Sequence, residues 1–268
     1  MPQPEWFREW FDSPFYHKLY FEHDEREAAA FIHKLVDHLQ LKAGSRILDL
    51  ACGRGRHSKI LAELGFDVPG VDLAPGSIEY AKQSETDNLH FFVHDMRLPF
   101  WGNYFDYAFN FFTSFGYFRT RRENEAAIRT VARSLKPMGV LVIDYLNVHY
   151  AEDHLLPGLT KHYNGTTYDI QKWDDPDHFY KKIKVTDATL KEPLEFTEIV
   201  AKLSLGDFTD MLSYQGMQVK EVFGDYQLNG YDVRNTTRLI LVASKTTEIK
   251  TDKEKRLYSD GRKTDQLT

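Results

Sequence analysis

Residues 46–58, RILDLACGRGRHS, decide the fold of this chain. The apolar run at 47–50 is typical of a strand that is buried on both faces of a sheet. It ends in Gly53-Arg54-Gly55, and a helical pattern begins just beyond. Glycines let a backbone pass close to a ligand, and the free N–H groups of a helix start point outward. The stretch therefore predicts a strand, a glycine turn and a helix N-terminus that together cradle a ligand.

Asp49 places a carboxylate at the end of this strand. A buried carboxylate accepts hydrogen bonds from a cationic or N–H-bearing group and repels a pyrophosphate. The cradle therefore suits a ligand with an amino group better than a dinucleotide.

Strands and helices alternate after the glycine turn. The pattern predicts strands at 66–71, 89–94, 104–110 and 140–146, helices starting near Ser58 and Pro75, and a helix at 123–135. Pro69 is unfavourable within a central strand, and Lys136-Pro137-Met138-Gly139 predicts a turn before the fifth strand. Such alternation indicates an α/β fold with a parallel, doubly wound sheet.

Two further acids, Asp72 and Asp95, follow the second and third predicted strands. Ligands of such sheets bind beyond the carboxyl ends of the strands. An acid after the second strand suits a ribose diol, and one after the third can accept from an exocyclic amine. The predicted ligand has an amino group, a ribose and an amine-bearing base, and S-adenosylmethionine has these groups.

Five segments support that cofactor: ILDLACGRG, VDLAPGSIEYAK, HDMRLPF, FDYAFNFFTSFGYF and LKPMGVLVIDYLN. In order and spacing, over about residues 24–245, the chain resembles the class I S-adenosylmethionine-dependent methyltransferases. The resemblance implies a Rossmann-like, doubly wound, seven-stranded and mostly parallel sheet whose last strand is antiparallel. It also implies methyl transfer to an O, N or C nucleophile of a small molecule.

The resemblance assigns cofactor contacts to matching positions of this sequence. These are Asp49, Gly53 and Gly55 around the methionine part, Asp72 on the ribose, Leu73 against the adenine, Asp95 and the Met96 backbone at the adenine amine, and Asn110 and Phe111 below the sulfonium. Arg56 departs from the pattern, because many members have glycine there. We expect its side chain to project toward the site or its rim. We interpret His57 as a helix-start residue and Cys52 as a small residue packed in the turn.

The first 20 residues are rich in aromatic side chains. They predict an amphipathic helix docked on the body or, alternatively, a flap that closes over a ligand, with a hinge at Asp12-Ser13-Pro14. Tyr16 and Tyr20 would share one helix face, so we expect both at the cofactor. Asp24 and Glu27 resemble a capping box that opens the next helix.

Near residue 158 the sequence pattern changes from alternating strands and helices to successive strands. We predict three antiparallel strands at 161–173, 178–187 and 196–203, followed by a helix at 208–214 and strands at 218–226 and 238–244. The β-meander resembles the substrate-covering inserts of small-molecule methyltransferases. The chain is predicted to comprise an aromatic N-terminal cap at 1–23, the cofactor-binding core at 24–150, the insert covering the site at 151–205, the last helix and two strands at 206–245, and a polar, disordered tail at 246–268.

Methyl transfer needs alignment and water exclusion, and a general base only when the nucleophile arrives protonated. Candidates beyond the fourth and fifth strands are Thr113, Ser114, Tyr117, Asn147 and His149. Tyr117 and His149 are the catalytic candidates, and the alternative for His149 is a histidine of a surface loop.

The composition restricts the cellular compartment and the classes of partner that we expect for this protein. The chain has 268 residues, a formal net charge of −6 and one cysteine, Cys52. These features favour a cytoplasmic protein without a disulfide, a cysteine-based metal cluster or a nucleic-acid partner. An apolar run of about 18 residues and a signal-peptide pattern are both lacking, so a membrane partner is not expected. Asn110-Phe111-Phe112-Thr113 also lacks the two prolines of the Asn-Pro-Pro-aromatic motif of nucleic-acid methyltransferases.

Two other functions are compatible with parts of the sequence. A nicotinamide oxidoreductase would need Gly or Ala at the sixth position of its fingerprint, where this chain has Ser58. A protein that binds S-adenosylmethionine without catalysis, such as a sensor, would share every feature of the cradle.

Overall fold

The computed structural model describes residues 6–20 and 25–246. The helices are α1 (Trp6–Phe11), α2 (Pro14–Leu19), α3 (Glu25–Leu39), α4 (Arg56–Glu63), α5 (Pro75–Lys82), α6 (Arg121–Ser134), α7 (Val148–Asp153) and α8 (Leu205–Tyr214). The strands are β1 (Ile47–Leu50), β2 (Val68–Asp72), β3 (Leu89–Val93), β4 (Phe105–Asn110), β5 (Leu135–Leu146), β6 (Gly158–Tyr163), β7 (Thr166–Asp174), β8 (His178–Thr186), β9 (Leu194–Ala201), β10 (Met217–Phe223) and β11 (Arg238–Lys245).

Seven strands form one sheet in the order β10-β11-β5-β4-β1-β2-β3. Neighbours among β1 to β5 are parallel, and β11 runs antiparallel to both β5 and β10. The predicted Rossmann-like, mostly parallel sheet with an antiparallel last strand is confirmed. The strand order reverses between β1 and β4, and ligands of doubly wound sheets bind at that point.

Strand β1 lies at the centre of this sheet, and all four of its residues are buried. Its side chains alternate between two cores: Ile47 packs in one with Phe31 and Phe109, and Leu48 in the other with Val131. The apolar run at 47–50 is therefore buried on both faces, as its composition predicts. Pro69 lies within β2 between β1 and β3, despite its missing N–H.

Strand β5 is longer than the sequence pattern predicts. Leu135 pairs with Phe105, and Val140 pairs with Tyr107, so the segment between Leu135 and Val140 bulges out of the ladder. Met138, in the bulge, has φ +66° and a 61 % exposed side chain. The predicted turn at 136–139 is wrong: these residues form a bulge inside one strand.

The insert is a separate antiparallel sheet in the order β6-β7-β8-β9. The predicted three strands are wrong in number, because the predicted strand at 161–173 is a hairpin. Its turn residues Asn164 and Gly165 have φ +43° and +79°. Asn-Gly is the sequence that favours a two-residue hairpin turn, and it reverses the chain here.

The segment of α1 and α2, residues 6–20, is called the cap. Ser13 separates the two helices, and its hydroxyl accepts a hydrogen bond from the Phe15 N–H at 3.2 Å. Trp10 is fully buried in a cluster with Tyr168, Ile170 and other residues of the insert. The cap is therefore docked on the insert through α1, and closure of a flap stays a prediction.

Two predictions lie outside the described residues: the capping box, because it requires Asp24, and the disordered tail, apart from Thr246. Within the described residues, no helix is both long and apolar enough to cross a membrane.

Candidate functional site

A cavity of about 1180 Å³ opens beyond the carboxyl ends of β1, β2, β3 and β4, under the cap. It brings together most of the residues predicted for the site. Those that line it are Tyr16, Tyr20, Asp49, Gly53, Arg56, Asp72, Leu73, Asp95, Met96, Phe111 and Tyr117. Gly55, Asn110 and His149 are not part of its wall.

Asp49 lies in the floor of the cavity and is 1 % exposed. The Ser58 hydroxyl of α4 donates to its carboxylate at 2.5 Å. Burial raises the pKa of Asp49 to about 7, and the hydrogen bond from Ser58 partly opposes the shift. A carboxylate in this state gains most from a cationic ligand group, because such a group restores the charge that burial disfavours.

The glycine turn is built from residues in the left-handed region. Ala51, Gly53 and Gly55 have φ +57°, +55° and +79°. A Cβ on Gly55 would lie 2.5 Å from the Phe91 ring, so only glycine fits there. Gly55 therefore shapes the turn from below instead of lining the cavity. It is also the N-cap of α4, without a side-chain hydrogen bond to the cap.

Asp72 ties the end of β2 to the glycine turn. Its two carboxylate oxygens accept from the Gly53 N–H and the Ala74 N–H, each at 2.8 Å. Burial raises the pKa of Asp72, and these backbone hydrogen bonds oppose the shift. Each oxygen has a second lone pair, so the side chain can also accept from a diol in the cavity.

Asp95 has partners that sequence reasoning missed. Arg97 donates to both of its oxygens, with the shortest contact at 2.7 Å, and Arg8 of the cap lies 3.5 Å away. Although burial opposes it, the bonds from Arg97 lower the pKa of Asp95. The Met96 carbonyl accepts from the Thr130 hydroxyl. A ligand amine would therefore share the Asp95 carboxylate with two arginines.

The loop after β4 forms the wall opposite Asp72. Asn110 is buried beneath it and donates to the Leu50 and Ser114 carbonyls, both at 3.1 Å. Its Oδ1 has no hydrogen-bond partner within the described part of the chain. Phe111, Phe112 and Ser114 face the cavity. Asn110 therefore holds the wall in place from behind.

Comparison with known proteins agrees with this geometry. Residues 47–139 match the family model described as a methyltransferase domain. In this segment the chain is similar to methyltransferase domains. It is 38% identical over 102 residues to a putative methyltransferase, YqeM, of Bacillus subtilis, a match that covers 37% of this chain and 41% of that protein. It is 34% identical over 101 residues to a sugar N,N-dimethyltransferase of Streptomyces venezuelae, covering 37% of this chain and 42% of that protein.

Solved structures share the fold of this chain at low sequence identity. A methyltransferase from Clostridium acetobutylicum superposes with a TM-score of 0.73 at 16% identity, covering 87% of this chain and 96% of that one. CalS10 of Micromonospora echinaspora, an amino pentose methyltransferase solved with S-adenosylmethionine, gives 0.64 at 22%, covering 87% and 98%. The chain spans less than half the length of the two curated relatives above, whereas both structural matches cover nearly the whole neighbour.

Three tyrosines, two from the cap and one from the loop after β4, line the upper part of the cavity. The rings of Tyr16 and Tyr20 lie 4.7 Å apart, and burial raises the pKa values of Tyr16, Tyr20 and Tyr117. The Tyr20 hydroxyl donates to Glu198 of the insert at 2.8 Å, and Trp10 donates to the same oxygen at 2.7 Å. The phenols are therefore neutral, and that of Tyr20 helps to join the cap to the insert.

Arg56 and His57 form the wall near the start of α4. Arg56 lines the cavity, and its guanidinium carbon lies 4.7 Å from the Phe112 ring centroid. His57 is 7 % exposed, and its ring lies 4.9 Å from that of Phe111. Burial lowers the pKa of His57 to about 3, so its imidazole is neutral. Its Nε2 has no hydrogen-bond partner in the described ranges.

His149 and Asn147 lie outside the cavity wall. His149 is on α7, which the sequence pattern missed, and its Nδ1 lies 3.5 Å from Glu152. Asn147 is fully buried and donates to the carbonyls of the loop before β11. Cys52 belongs to the cavity wall at the glycine turn; its side chain is buried, and burial raises the pKa of its thiol. Tyr117 is the catalytic candidate that the structure places in the cavity.

Sequence reasoning also missed several basic residues of the cavity wall, namely His17, Arg26, Arg54 and Lys59. The guanidinium carbon of Arg54 lies 4.5 Å from the centroid of the Tyr80 ring, and the Lys59 Nζ lies 5.7 Å from the same centroid. Arg54 lies between the two glycines of the turn, and this position in the motif could have predicted that its side chain lines the cavity. Across the described residues, no group of three or more His, Cys, Asp or Glu side chains could hold a metal ion.

Proposed function

We propose that this protein transfers a methyl group from S-adenosylmethionine to a small-molecule acceptor. The observation that carries the proposal is the convergence of Asp49, Asp72 and Asp95, from three successive strand ends, on one cavity at the switch point. The spacing of these acids in the sequence also suggests S-adenosylmethionine as the ligand. The similarity of residues 47–139 to a methyltransferase domain supports the proposal.

The residues present fit this cofactor. Asp49 would accept from its amino group and Asp72 from its ribose hydroxyls, while Leu73 and Met96 would border the adenine. Phe111 would lie below the sulfonium, with Tyr16 and Tyr20 above it. The cavity of about 1180 Å³ exceeds the roughly 300–1,000 Å³ of a pocket for one drug-sized ligand, so an acceptor also fits.

The chemistry then asks little of the protein. The cofactor supplies a methyl group that is already activated by its sulfonium. The chain has to hold the acceptor in line with that methyl and keep water out. The aromatic cap and the Phe111–Phe112 wall supply dry, apolar surfaces, and the neutral phenols of Tyr16 and Tyr117 can orient an acceptor without ionising.

A small acceptor is favoured over nucleic acid. The net charge is −6, and Arg121 at the start of α6 pairs with Glu125 and Asp207. Several relatives are named for sugar or demethylmenaquinone methylation. The relatives named for 23S rRNA match over 71 residues, which is 25% of this chain. Location in the cytoplasm stays a prediction.

A nicotinamide oxidoreductase is less compatible with the site. Ser58, at the sixth position of the glycine fingerprint, is fully buried and donates to Asp49. The pair places a carboxylate where a dinucleotide would bring its pyrophosphate.

The test is a transfer assay with S-adenosylmethionine that carries a labelled methyl group. The acceptors are a panel of amines, sugars, quinols and carboxylic acids, and formation of S-adenosylhomocysteine is followed at the same time. We expect label in at least one acceptor class, and less label with an Asp72→Ala variant at the same subsaturating cofactor concentration. Tight cofactor binding without transfer to any class would favour the non-catalytic binding protein.

A further inference from the structure

The wall that follows β4 contains two adjacent residues in an unfavourable backbone conformation. Phe112 and Thr113 have φ +61° and +58°. Bulky and β-branched residues rarely adopt this region, and they persist there only where surrounding contacts impose it. Phe111, Phe112 and Ser114 line the cavity at this point, whereas Thr113 does not. The strained pair therefore sets the shape of one cavity wall.

Asp144 of β5 imposes this conformation. Its carboxylate accepts from the Phe112 N–H at 2.8 Å, and its backbone carbonyl accepts from the Thr113 N–H at 2.9 Å. The side chain is fully buried. One residue thus fixes two consecutive peptide units of the loop.

Arg238 of β11 holds Asp144 and the loop together. Its Nε and Nη2 lie 2.8 and 2.7 Å from the same Asp144 oxygen, and Nη2 also donates to the Thr113 hydroxyl at 3.0 Å. The Tyr226 hydroxyl donates to the other Asp144 oxygen at 3.0 Å. Burial opposes the charge of Arg238, but the neighbouring Asp144 raises its pKa, so the guanidinium stays charged.

We propose that Asp144 and Arg238 are positioning residues for the methyl-transfer site. Neither side chain lines the cavity. Their ion pair holds Phe112 and Thr113 in the left-handed region, and this places the Phe111 to Ser114 wall against the cofactor. Burying two charges costs desolvation free energy that can exceed their attraction. A contribution to stability alone therefore does not explain this ion pair. The inference rests on the proposed function, because it assumes that the wall borders the cofactor.

The experiment uses the full-length protein and S-adenosylhomocysteine as the probe. Dissociation constants are measured by isothermal titration calorimetry, and melting temperatures by differential scanning calorimetry. Thr113→Gly removes both the steric strain and the contact with Arg238, so the loop can relax. We expect its melting temperature to stay within about 3 °C of wild type and its dissociation constant to rise about tenfold.

Two variants separate positioning from general stability. Thr113→Ser keeps the hydroxyl that Arg238 contacts, and we expect it to bind the probe within twofold of wild type. Met138→Gly relieves the positive φ of the exposed bulge in β5, away from the cavity, and should leave the dissociation constant unchanged. Arg238→Lys keeps the charge but loses the two-pronged contact, and should weaken probe binding about as much as Thr113→Gly.

The outcomes are distinct. If wild type binds S-adenosylhomocysteine and Thr113→Gly binds it equally well, the positioning role is wrong while the proposed function stands. If Met138→Gly weakens binding as much as Thr113→Gly, the effect is general and the positioning role is again wrong. If wild type gives no heat with the probe, the proposed function fails.

Discussion

The carboxylate of Asp72 accepts a hydrogen bond from the backbone N–H of Gly53 at 2.8 Å. This contact joins the end of β2 to the turn after β1, which are two sides of one cavity. Asp72 therefore has a structural role in the turn and, under the proposed function, a binding role toward the ribose.

Replacing Asp72 with alanine tests the binding role. We expect Asp72→Ala to weaken binding of S-adenosylmethionine about ten- to a hundredfold, or about 1.5–3 kcal/mol, because a charge-assisted hydrogen bond is lost. The measurement is calorimetry on variant and wild type. The matched control is Asp67→Ala, which removes a half-exposed acid paired with Arg46 and should leave affinity unchanged. An unaltered dissociation constant in Asp72→Ala would mean that this carboxylate only supports the turn.

The pKa of Asp49 predicts a dependence of stability on pH. Burial raises this pKa from 3.8 to about 7, so between these pH values the folded protein binds more protons at Asp49 than the unfolded chain. The contribution of Asp49 to stability is complete below about pH 4 and is lost as the pH rises through 7.

Asp49→Asn removes that titration. We expect the free energy of unfolding of Asp49→Asn, relative to wild type, to increase between pH 5 and pH 8, as followed by urea unfolding. Binding of a cationic amino group favours the ionised form, so wild-type affinity for S-adenosylhomocysteine should increase over the same interval. Parallel stability curves for the two proteins would contradict the raised pKa.

The cap gives a prediction that separates docking from closure. Helix α1 buries Phe7 and Trp10, whereas the side chains of α2, Tyr16 included, are at most partly buried. Trp10→Ala should lower the free energy of unfolding by about 3–5 kcal/mol, because a large ring is removed from a packed cluster. Tyr16→Phe should leave stability nearly unchanged, because the ring is kept. It should weaken cofactor binding, because the hydroxyl of a side chain that lines the cavity is lost.

Hydrogen exchange measures closure directly. We expect amides of α1 to be protected with and without S-adenosylhomocysteine, and amides of α2 to gain protection when it binds. Equal and high protection of α2 in both states would mean a permanently packed segment, and the flap hypothesis would then be wrong.

Local patterns were sufficient to predict the parallel sheet. The apolar run at 47–50, the glycine turn and the acids at successive strand ends are short-range features, and each has one physical interpretation in a doubly wound sheet. The hairpin at Asn164-Gly165 was also readable, because that dipeptide favours a tight turn. It was missed because β-branched residues on both sides resembled one long strand.

Contacts between distant segments could not be predicted in this way. Arg97 and the cap residue Arg8 both approach Asp95, and Arg238 reaches Asp144 across 94 positions of sequence. His149 follows the fifth strand, as a catalytic candidate should, yet α7 directs it to Glu152. Such outcomes depend on packing between elements, about which periodicity says nothing.

The central claim is that the cavity at the switch point binds S-adenosylmethionine. The most direct test is a calorimetric titration of the purified protein with S-adenosylmethionine, S-adenosylhomocysteine and NAD in separate runs, without added metal. We predict micromolar-range binding of the first two, at about one molecule per chain, and no heat from NAD. Binding of NAD with no heat from either adenosyl compound would contradict the account.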